Sequence, residues 1–285
     1  MCIHFIGIGG IGVSALAQYY LKKGHKISGS DLVSSEITEL LSRMGAKIYI
    51  GKHRAKNIPK KIDLVIYSPA VQDNNPELKK AKNLHTLYSV PRVMSYPQAL
   101  GELTKEYFTI AVSGTHGKST TTAMIGLILK KARLDPTVII GTKLKEFDNS
   151  NCRVGKSRYL VIEADEHFAS FLNYWPKIIV LTNIEKEHLD YYKSFKEYIK
   201  AKENITRWQN SRDYLIFNSK DKIVEEIAKH SKAKKIPIPD VSQIRIKTGL
   251  IGKLNPEGVM AAIAVGRIFH LSLKKMEEVI EKFKP

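Results

Sequence analysis

The chain has 285 residues, 43% hydrophobic and 26% charged, a composition that allows two globular domains. The N-terminal residues run straight into a predicted strand, so we expect no signal peptide, and without an apolar run of about 18 residues we expect no membrane span. The net charge of +18 raises nucleic acid as a partner, but the lysines are scattered without interleaved aromatic residues, so we expect a solvated basic surface and no nucleic-acid partner. Cys2 and Cys152 form no metal or disulfide spacing, which favours a cytoplasmic location.

A glycine-rich turn follows the first predicted strand. Gly7, Gly9 and Gly12 form the pattern G-x-G-x-x-G between a strand and a helix, and Asp31 ends the next strand 19 residues beyond Gly12. This spacing is typical of a turn that holds a diphosphate beside a ribose. NAD and UDP-sugars both contain these groups, so the pattern alone leaves the ligand open.

Strands and helices continue to alternate up to about residue 105. The predicted elements are a helix over 35–46, strands over 47–50 and 63–71, a helix that starts at 75–77, and a further strand and helix over 85–103. Such alternation is typical of a parallel sheet that is covered by helices on both faces. Residues 1–105 are therefore predicted to form a Rossmann-like domain.

A second glycine-rich turn, SGTHGKSTTT, lies between a short β-branched strand and a predicted helix over 121–129. It departs from the strict P-loop spacing, because Val112 stands where a glycine is expected. Its backbone N–H groups and the helix N-terminus still form an anion site, to which Lys118 adds a positive charge. Ser119 or Thr120 offers a hydroxyl to Mg²⁺. A helix cap would need only one such residue, so the turn predicts nucleotide phosphate binding.

Acidic residues follow the next predicted strand, and a histidine follows the one after it. The strand in SRYLVIEADE ends in Glu163, Asp165 and Glu166, and the strand KIIVLTNI leads to His188. In P-loop proteins a carboxylate at the end of a neighbouring strand holds the magnesium ion. The acids and His188 follow the carboxyl ends of their strands, which is the edge of the sheet where such sites form. The alternatives are solvated turn acids and a surface histidine. A helix over 194–208 and two helices within 255–285 complete the predicted elements.

Five motifs, HFIGIGGIGVSALA, SGSDL, SGTHGKSTTT, EADE and TNIEKEHLDYY, resemble in order those of the Mur ligases. The resemblance implies an α/β fold, with a Rossmann-like UDP-sugar-binding domain over 1–105 and a P-loop-type ATP-binding domain with a mainly parallel sheet over 106–285. It also implies a third, amino-acid-binding domain, whose linker would begin at about the last residues of this sequence. We therefore expect either a piece of a longer protein or a two-domain protein that uses a separate C-terminal domain as a partner, and in both cases weak or no activity of these residues alone.

The resemblance further implies an ATP-dependent ligation in peptidoglycan synthesis, a pathway of cell wall biogenesis. In that reaction ATP phosphorylates the lactyl carboxylate of UDP-N-acetylmuramate, and the amine of L-alanine attacks the acyl phosphate. The implied diphosphate site is formed by Gly9, Gly10, Ile11 and Gly12, with Ser30 and Asp31 near the uridine. The implied ATP site is formed by Gly114, Thr115, His116, Gly117, Lys118, Ser119 and Thr120, with Asn255 on the adenine side.

Metal and catalytic residues are implied in the same way. Lys118 would bind the β- and γ-phosphates, Ser119 or Thr120 would bind Mg²⁺ together with Glu163, and His188 would bind a second Mg²⁺. Lys202 stands in an Ala-Lys context in which several family members carry a carbamylated lysine that helps to hold the second ion. A plain lysine on a helix surface is the alternative.

Two motifs depart from the family pattern. The family's EADESD reads EADEHF at 163–168. In the family's H-N-x-x-N motif only the first asparagine is retained, as Asn255, because Leu254 replaces the histidine and Gly258 replaces the second asparagine.

Three other functions stay open. They are a catalytically inactive UDP-sugar-binding module, the related ligase that recycles a tripeptide, and an NAD-dependent oxidoreductase. The oxidoreductase does not explain the second phosphate turn.

Overall fold

The computed structural model describes residues 1–165, 167–187, 191–240, 242 and 255–283. The chain divides into two compact units. The first unit contains Met1–Leu100 and Gly141–Val154, and the second contains Gly101–Ile140 and Gly155–Pro285. The sequence-based boundary after residue 105 differs from this division by a few residues, and it did not anticipate that residues 141–154 belong to the first unit.

The first unit is built on a parallel sheet, whose strands are β1 (Cys2–Ile6), β2 (Lys26–Asp31), β3 (Lys47–Ile50), β4 (Leu64–Tyr67) and β5 (Arg92–Ser95). Their order in the sheet is β3-β2-β1-β4-β5. Its core is formed by apolar strand residues such as Ile3, Phe5 and Ile66, which are fully buried. The order reverses direction at β1, where such sheets bind ligands at the carboxyl ends of their strands.

Two helices of the first unit, which begin at Glu36 and Pro76, are preceded by residues whose side chains satisfy the exposed N–H groups of the first turn. Ser35 accepts a hydrogen bond from the N–H of Thr38, and Asn75 accepts from Glu77 and Leu78 with Pro76 as the first helical residue. The predicted Rossmann-like fold is confirmed. The helices are α1 (Ile11–Lys22), α2 (Glu36–Arg43), α3 (Pro76–Tyr88) and α4 (Tyr96–Glu106), the last of which continues into the second unit.

A hairpin that the sequence did not predict completes the first unit. It consists of the end of β7 (Thr137–Leu144) and of β8 (Ser150–Arg153). Gln18 of α1 donates a hydrogen bond of 2.7 Å to Asn151 Oδ1, and Ser150 Oγ donates one of 2.6 Å to Gln18 Oε1. These side chains are buried, so the polar contacts fix the hairpin on α1.

The second unit is built on another parallel sheet, with the strand order β12-β11-β10-β6-β9-β7. The strand β6 (Phe108–Ser113) lies at its centre and leads directly into the helix α5 (Lys118–Lys131), so the second glycine-rich turn lies at a central strand end. The mainly parallel sheet predicted from the sequence is confirmed. The strands are β6 (Phe108–Ser113), β9 (Tyr159–Glu163), β10 (Ile178–Leu181), β11 (Tyr214–Phe217) and β12 (Lys234–Pro237), together with the first part of β7.

The two helices predicted near residue 255 and beyond are present, and α8 packs against α5. Gly258 allows this approach, because a Cβ atom at that position would lie 2.5 Å from Thr121 Oγ1. Within the described ranges, no helix is long and apolar enough to cross a membrane. The helices are α5 (Lys118–Lys131), α6 (Phe195–Glu203), α7 (Lys222–His230), α8 (Pro256–Ile268) and α9 (Leu273–Ile280).

Candidate functional site

The first unit contains a cleft of about 900 Å³ at the carboxyl edge of its sheet, a volume within the range of small-molecule sites. It is lined by the Gly-rich turn after β1, residues 31–35 after β2, Lys52 and His53 after β3, and the loop after β4. Four consecutive strand ends therefore contribute to one concave surface, as expected for a nucleotide site on this fold.

The Gly-rich turn and Asp31 meet at this cleft. The N–H of Gly9 donates a hydrogen bond of 2.7 Å to Asp31 Oδ2, and a Cβ atom at Gly9 would lie 2.9 Å from the same oxygen. Gly7 has φ +76°, a backbone conformation that favours glycine. Gly9, Gly10 and Asp31 thus lie together, at the place where the sequence predicted diphosphate and ribose binding.

The other predicted residues of this turn have different surroundings. Ile11 is the first residue of α1 and is partly exposed, and Gly12 packs against a ring, since a Cβ atom there would lie 2.8 Å from Tyr96 Cζ. Ser30 is fully buried and donates a hydrogen bond of 2.6 Å to Glu77 Oε2. Ser30 therefore lies beneath the cleft wall and does not line it.

Sequence reasoning missed Glu77, which it treated only as part of a helix start. This carboxylate is fully buried among hydrogen-bond donors. Burial raises the pKa of Glu77, but the hydrogen bonds from His4, Ser30 and Asn57 outweigh it and lower the pKa from 4.5 to about 2. The donors are His4 Nε2 at 2.9 Å, Ser30 Oγ at 2.6 Å, Asn57 Nδ2 at 2.7 Å, the N–H of Arg54 at 3.2 Å and His53 Nδ1 at 3.3 Å.

The phosphate turn of the second unit connects β6 to the N-terminus of α5. Gly117 precedes the helix with φ +78°, and a Cβ atom there would lie 2.6 Å from Asn255 Nδ2. Lys118 Nζ donates hydrogen bonds of 2.9 Å and 3.0 Å to the carbonyl oxygens of Gly114 and Thr115. The lysine therefore lies over its own turn, next to the N–H groups of the helix start.

The predicted pair of magnesium ligands is brought together by the sheet. Register pairs Val112 of β6 with Glu163 of β9, so the Glu163 carboxylate reaches the turn that follows β6. Ser119 Oγ donates a hydrogen bond of 3.0 Å to Glu163 Oε1. Thr120 lies on the first turn of α5 beside Ser119. In the part of the chain that is described, no cluster of three or more His, Cys, Asp or Glu residues forms a ready metal cage.

The turn is held against the segment that follows β10. Thr115 N–H donates to the carbonyl of Asn183 at 2.9 Å, and Thr115 Oγ1 accepts from the N–H of Glu185 at 2.9 Å. The N–H of His116 donates to Asn183 Oδ1 at 2.7 Å. The His116 ring itself is exposed, with Nε2 3.6 Å from Glu185 Oε2. The TNIE motif therefore supports the turn through its backbone and side chains.

Lys202 does not lie on a helix surface, so that alternative was wrong. Its side chain is fully buried in α6, and Nζ donates hydrogen bonds of 3.1 Å to the Gly114 carbonyl and 3.3 Å to Ser113 Oγ. The same nitrogen lies 5.3 Å from the ring centroid of Tyr198. Folding thus places an amine directly behind the phosphate turn. His188, the predicted ligand of a second Mg²⁺, lies outside the described residues.

Asn255 is the N-terminal cap of α8 and also a neighbour of the phosphate turn. Its Oδ1 accepts a hydrogen bond of 3.0 Å from the N–H of Glu257, and its Nδ2 faces Gly117. The side chain is therefore close to the phosphate turn. The described residues around it do not define an adenine pocket.

The two units, each with a glycine-rich turn at a central strand end, match two family models. The model for the Mur ligase family, catalytic domain, matches residues 2–108, and the model for the Mur ligase middle domain matches residues 112–243. The chain belongs to the Mur ligase family.

Its relatives in that family include several proteins named UDP-N-acetylmuramate--L-alanine ligase. The protein of Clostridium kluyveri is 45% identical over 226 residues, which are 79% of this chain and 48% of the relative. The protein of Pelobacter propionicus is 50% identical over 198 residues, or 70% of this chain and 41% of the relative. The chain thus spans about half the length of the relatives it matches.

Solved structures show the same architecture. The UDP-N-acetylmuramate-alanine ligase of Thermotoga maritima has a TM-score of 0.82 and 28% identity, with 99% of this chain and 68% of that chain covered. A ligase from Neisseria meningitides that is named for UDP-N-acetylmuramate and a tripeptide has a TM-score of 0.85 over 100% of this chain and 98% of that one. Its identity is 22%, so it supports the fold alone.

Proposed function

We propose that the chain carries the UDP-N-acetylmuramate-binding and ATP-binding parts of a ligase that joins L-alanine to the lactyl carboxylate of UDP-N-acetylmuramate. The observation that carries the proposal is the grouping of Lys118, Ser119 and Glu163 at one strand edge. Relatives of 45% to 50% identity bear the name of that activity, which favours it over other ligations.

The first unit would bind the UDP moiety. Gly9 and Gly10 line the cleft, the N–H groups of the first turn of α1 would supply an anion site, and Asp31 would supply a carboxylate that suits ribose hydroxyls. The cleft of about 900 Å³ is large enough for a nucleotide. Ile11 and Gly12 would contribute to the diphosphate site as the first residues of α1. Ser30 would act indirectly, through its hydrogen bond to Glu77 beneath the cleft wall.

The second unit would bind ATP. Lys118 would neutralise the β- and γ-phosphates, while the N–H groups at the start of α5 would hold phosphate oxygens and Asn255 borders the turn. The donor set fits Mg²⁺, because a hydroxyl and a carboxylate oxygen lie 3.0 Å apart in Ser119 and Glu163. Mg²⁺ bound there would neutralise charge on the ATP phosphates while the lactyl carboxylate of UDP-N-acetylmuramate is converted to an acyl phosphate. Thr120 and His188 stay as further proposed ligands.

Lys202 has a positioning role in this proposal. Its nitrogen donates a hydrogen bond to the Gly114 carbonyl, and so would hold the backbone of the turn in place for phosphate binding. His116, at the turn's exposed side, is proposed to contact the nucleotide. The same proposal includes a further domain that binds the amino acid and is supplied as a separate partner. It also includes a cytoplasmic location, where the nucleotide substrates are found.

Calorimetric titration of the chain with UDP-N-acetylmuramate tests the proposal, with and without Mg²⁺ and a non-hydrolysable ATP analogue. We expect binding of both ligands and an ATP-analogue affinity that depends on Mg²⁺. Binding of UDP-N-acetylmuramate without any binding of the ATP analogue would instead support an inactive UDP-sugar-binding module. Binding of neither ligand would refute the proposed function.

A phosphate-release assay distinguishes the proposed ligase from the ligase that recycles a tripeptide. Phosphate release is measured with UDP-N-acetylmuramate, ATP and either L-alanine or the tripeptide, after addition of the C-terminal part of a relative. We expect release with L-alanine and not with the tripeptide. The reverse preference would contradict the proposed amino-acid substrate and favour the recycling ligase.

A further inference from the structure

The buried carboxylate of Glu77 is connected to the cleft of the first unit by one side chain. Among the five groups that donate to Glu77, His53 is the residue whose side chain also lines the cleft and keeps 12% of its surface exposed. Glu77 itself is inaccessible. The His53 ring therefore links this carboxylate by hydrogen bonds to the surface of the cleft.

The hydrogen-bond network determines which ring nitrogen of His53 carries a hydrogen. Ser30 donates its only hydroxyl hydrogen to Glu77 Oε2 over 2.6 Å. His53 Nδ1 lies 3.0 Å from Ser30 Oγ and 3.3 Å from Glu77 Oε1, and both of these oxygens can then only accept. Nδ1 must therefore be the donor. In the neutral ring, Nε2 consequently holds a lone pair.

The position of His53 in the sheet indicates which part of a nucleotide it meets. His53 follows β3 and lines the same cleft as the Gly-rich turn after β1, and Asp31 ends β2, the strand that separates β3 from β1. In the proposed UDP site the diphosphate would lie at that turn, and the nucleoside would extend along the cleft toward the ends of β2 and β3. A ligand held in this way presents its nucleoside to His53.

We propose that Glu77 is a positioning residue that fixes the Nδ1–H tautomer of His53 and thereby presents Nε2 as a hydrogen-bond acceptor to the nucleoside. The matching donors on UDP are the imino N–H of uracil and the ribose hydroxyls, since ionised phosphates carry none. The inference rests on the proposed UDP-binding function of the first unit. It adds a source of specificity, because a site that accepts a hydrogen bond discriminates against analogues that lack the donor.

Nitrogen NMR of the chain labelled with ¹⁵N-histidine tests the tautomer without any ligand. At about pH 8.5, where an unperturbed imidazole is neutral, we expect His53 to carry its hydrogen on Nδ1. The signal is assigned by its loss in His53→Ala, and an exposed histidine of α3 provides the control His85→Ala. In Glu77→Gln we expect a population with the hydrogen on Nε2. An Nε2–H tautomer in the unaltered chain would overturn the proposal.

Titration with UDP, N3-methyl-UDP, 2′-deoxy-UDP and 3′-deoxy-UDP tests the contact. The unaltered chain is expected to prefer UDP over at least one analogue by roughly three- to tenfold, the effect of one hydrogen bond. In His53→Ala and Glu77→Gln that preference should fall below about twofold, by the same argument. Glu39→Gln, which changes an exposed carboxylate of α2, should retain it.

The outcomes distinguish a failure of the proposed UDP-binding function from a failure of the proposed role of His53 and Glu77. Absence of UDP binding by the unaltered chain would overturn the proposed function and this inference with it. Binding of UDP with the same preference in His53→Ala as in the unaltered chain would overturn the inference alone. If Glu77→Gln does not fold, His53→Ala decides the binding experiment, and the tautomer of the unaltered chain still tests the role of Glu77.

Discussion

The two glycine-rich turns of this chain follow the same strand-turn-helix plan, yet their side chains differ in charge. At the first turn the nearby charged group is the carboxylate of Asp31, which accepts a hydrogen bond from Gly9. At the second turn it is the ammonium of Lys118, with Ser119 and Glu163 beside it. Backbone N–H groups suffice to hold a diphosphate that stays intact, whereas a phosphate that is transferred needs a cation and metal ligands.

The comparison predicts its largest effect at Lys118. Lys118→Met should weaken binding of the ATP analogue by about 3 kcal/mol, roughly 100-fold, because a charged contact to phosphate is lost. UDP binding should not change. Lys130→Met, on the exposed face of the same helix, is the control. Calorimetry measures both ligands, and an equal loss of UDP affinity would contradict separate roles for the two turns.

A second prediction concerns the buried carboxylate beneath the first turn. Because folding lowers the pKa of Glu77 from 4.5 to about 2, this group stabilises the fold above pH 4.5 and loses that contribution as the pH falls through about 2. The contribution is on the order of 3 kcal/mol.

Urea unfolding of the unaltered chain and of Glu77→Gln, at several pH values from neutral to acidic, measures this effect. The difference in the free energy of unfolding between the two chains should shrink as the pH falls below 4.5, since only the unaltered chain loses a paired carboxylate. A difference that is constant with pH would show that Glu77 contributes by packing and not by charge.

A third prediction addresses the proposed metal ligands at the second turn. Glu163→Gln should reduce the gain in ATP-analogue affinity that Mg²⁺ provides by roughly tenfold, because an amide is a weaker ligand than a carboxylate. Affinity without Mg²⁺ should stay nearly the same. Titrations at several Mg²⁺ concentrations provide the measurement, with Glu281→Gln as an exposed control. An unaltered Mg²⁺ dependence would exclude Glu163 from the metal site.

The smallest expected effect is at the start of α1. Gly12→Ala places a methyl group 2.8 Å from Tyr96 Cζ, so one of the two must shift, at a cost of about 1 kcal/mol. Thermal unfolding measures the loss. The same substitution in a Tyr96→Ala background should cost almost nothing, because the clash is removed. Equal costs in both backgrounds would mean that the clash does not determine the need for glycine.

Local patterns were sufficient to predict the elements on which both sites are built. The strand-turn-helix segments at Gly7–Gly12 and Gly114–Lys118 are encoded within about twenty residues each, where glycine spacing and apolar periodicity act directly on the backbone. The placement of Glu163 beside Ser119 followed from a topological rule, since parallel strands bring their carboxyl ends to one edge.

Residues that depend on distant partners were beyond such reasoning. Ser30 was predicted near the uridine, but its hydroxyl is bound to Glu77, 47 positions away. Lys202 carries the sequence pattern of a surface helix, yet it is buried against Gly114, 88 positions away. Residues 141–154 join the first unit through contacts between Ser150 and Gln18 that no local pattern signals.

The sequence by itself therefore determined the fold class, the family and the two glycine-rich turns, because each follows from spacing within a short segment. Only the tertiary structure decided how a buried charge is used. Glu77 and Lys202 would each be ordinary helix residues if isolated, and burial among specific donors or acceptors gives them their roles. Desolvation makes an unpaired charge too costly, so the partners that folding supplies determine what such a group does.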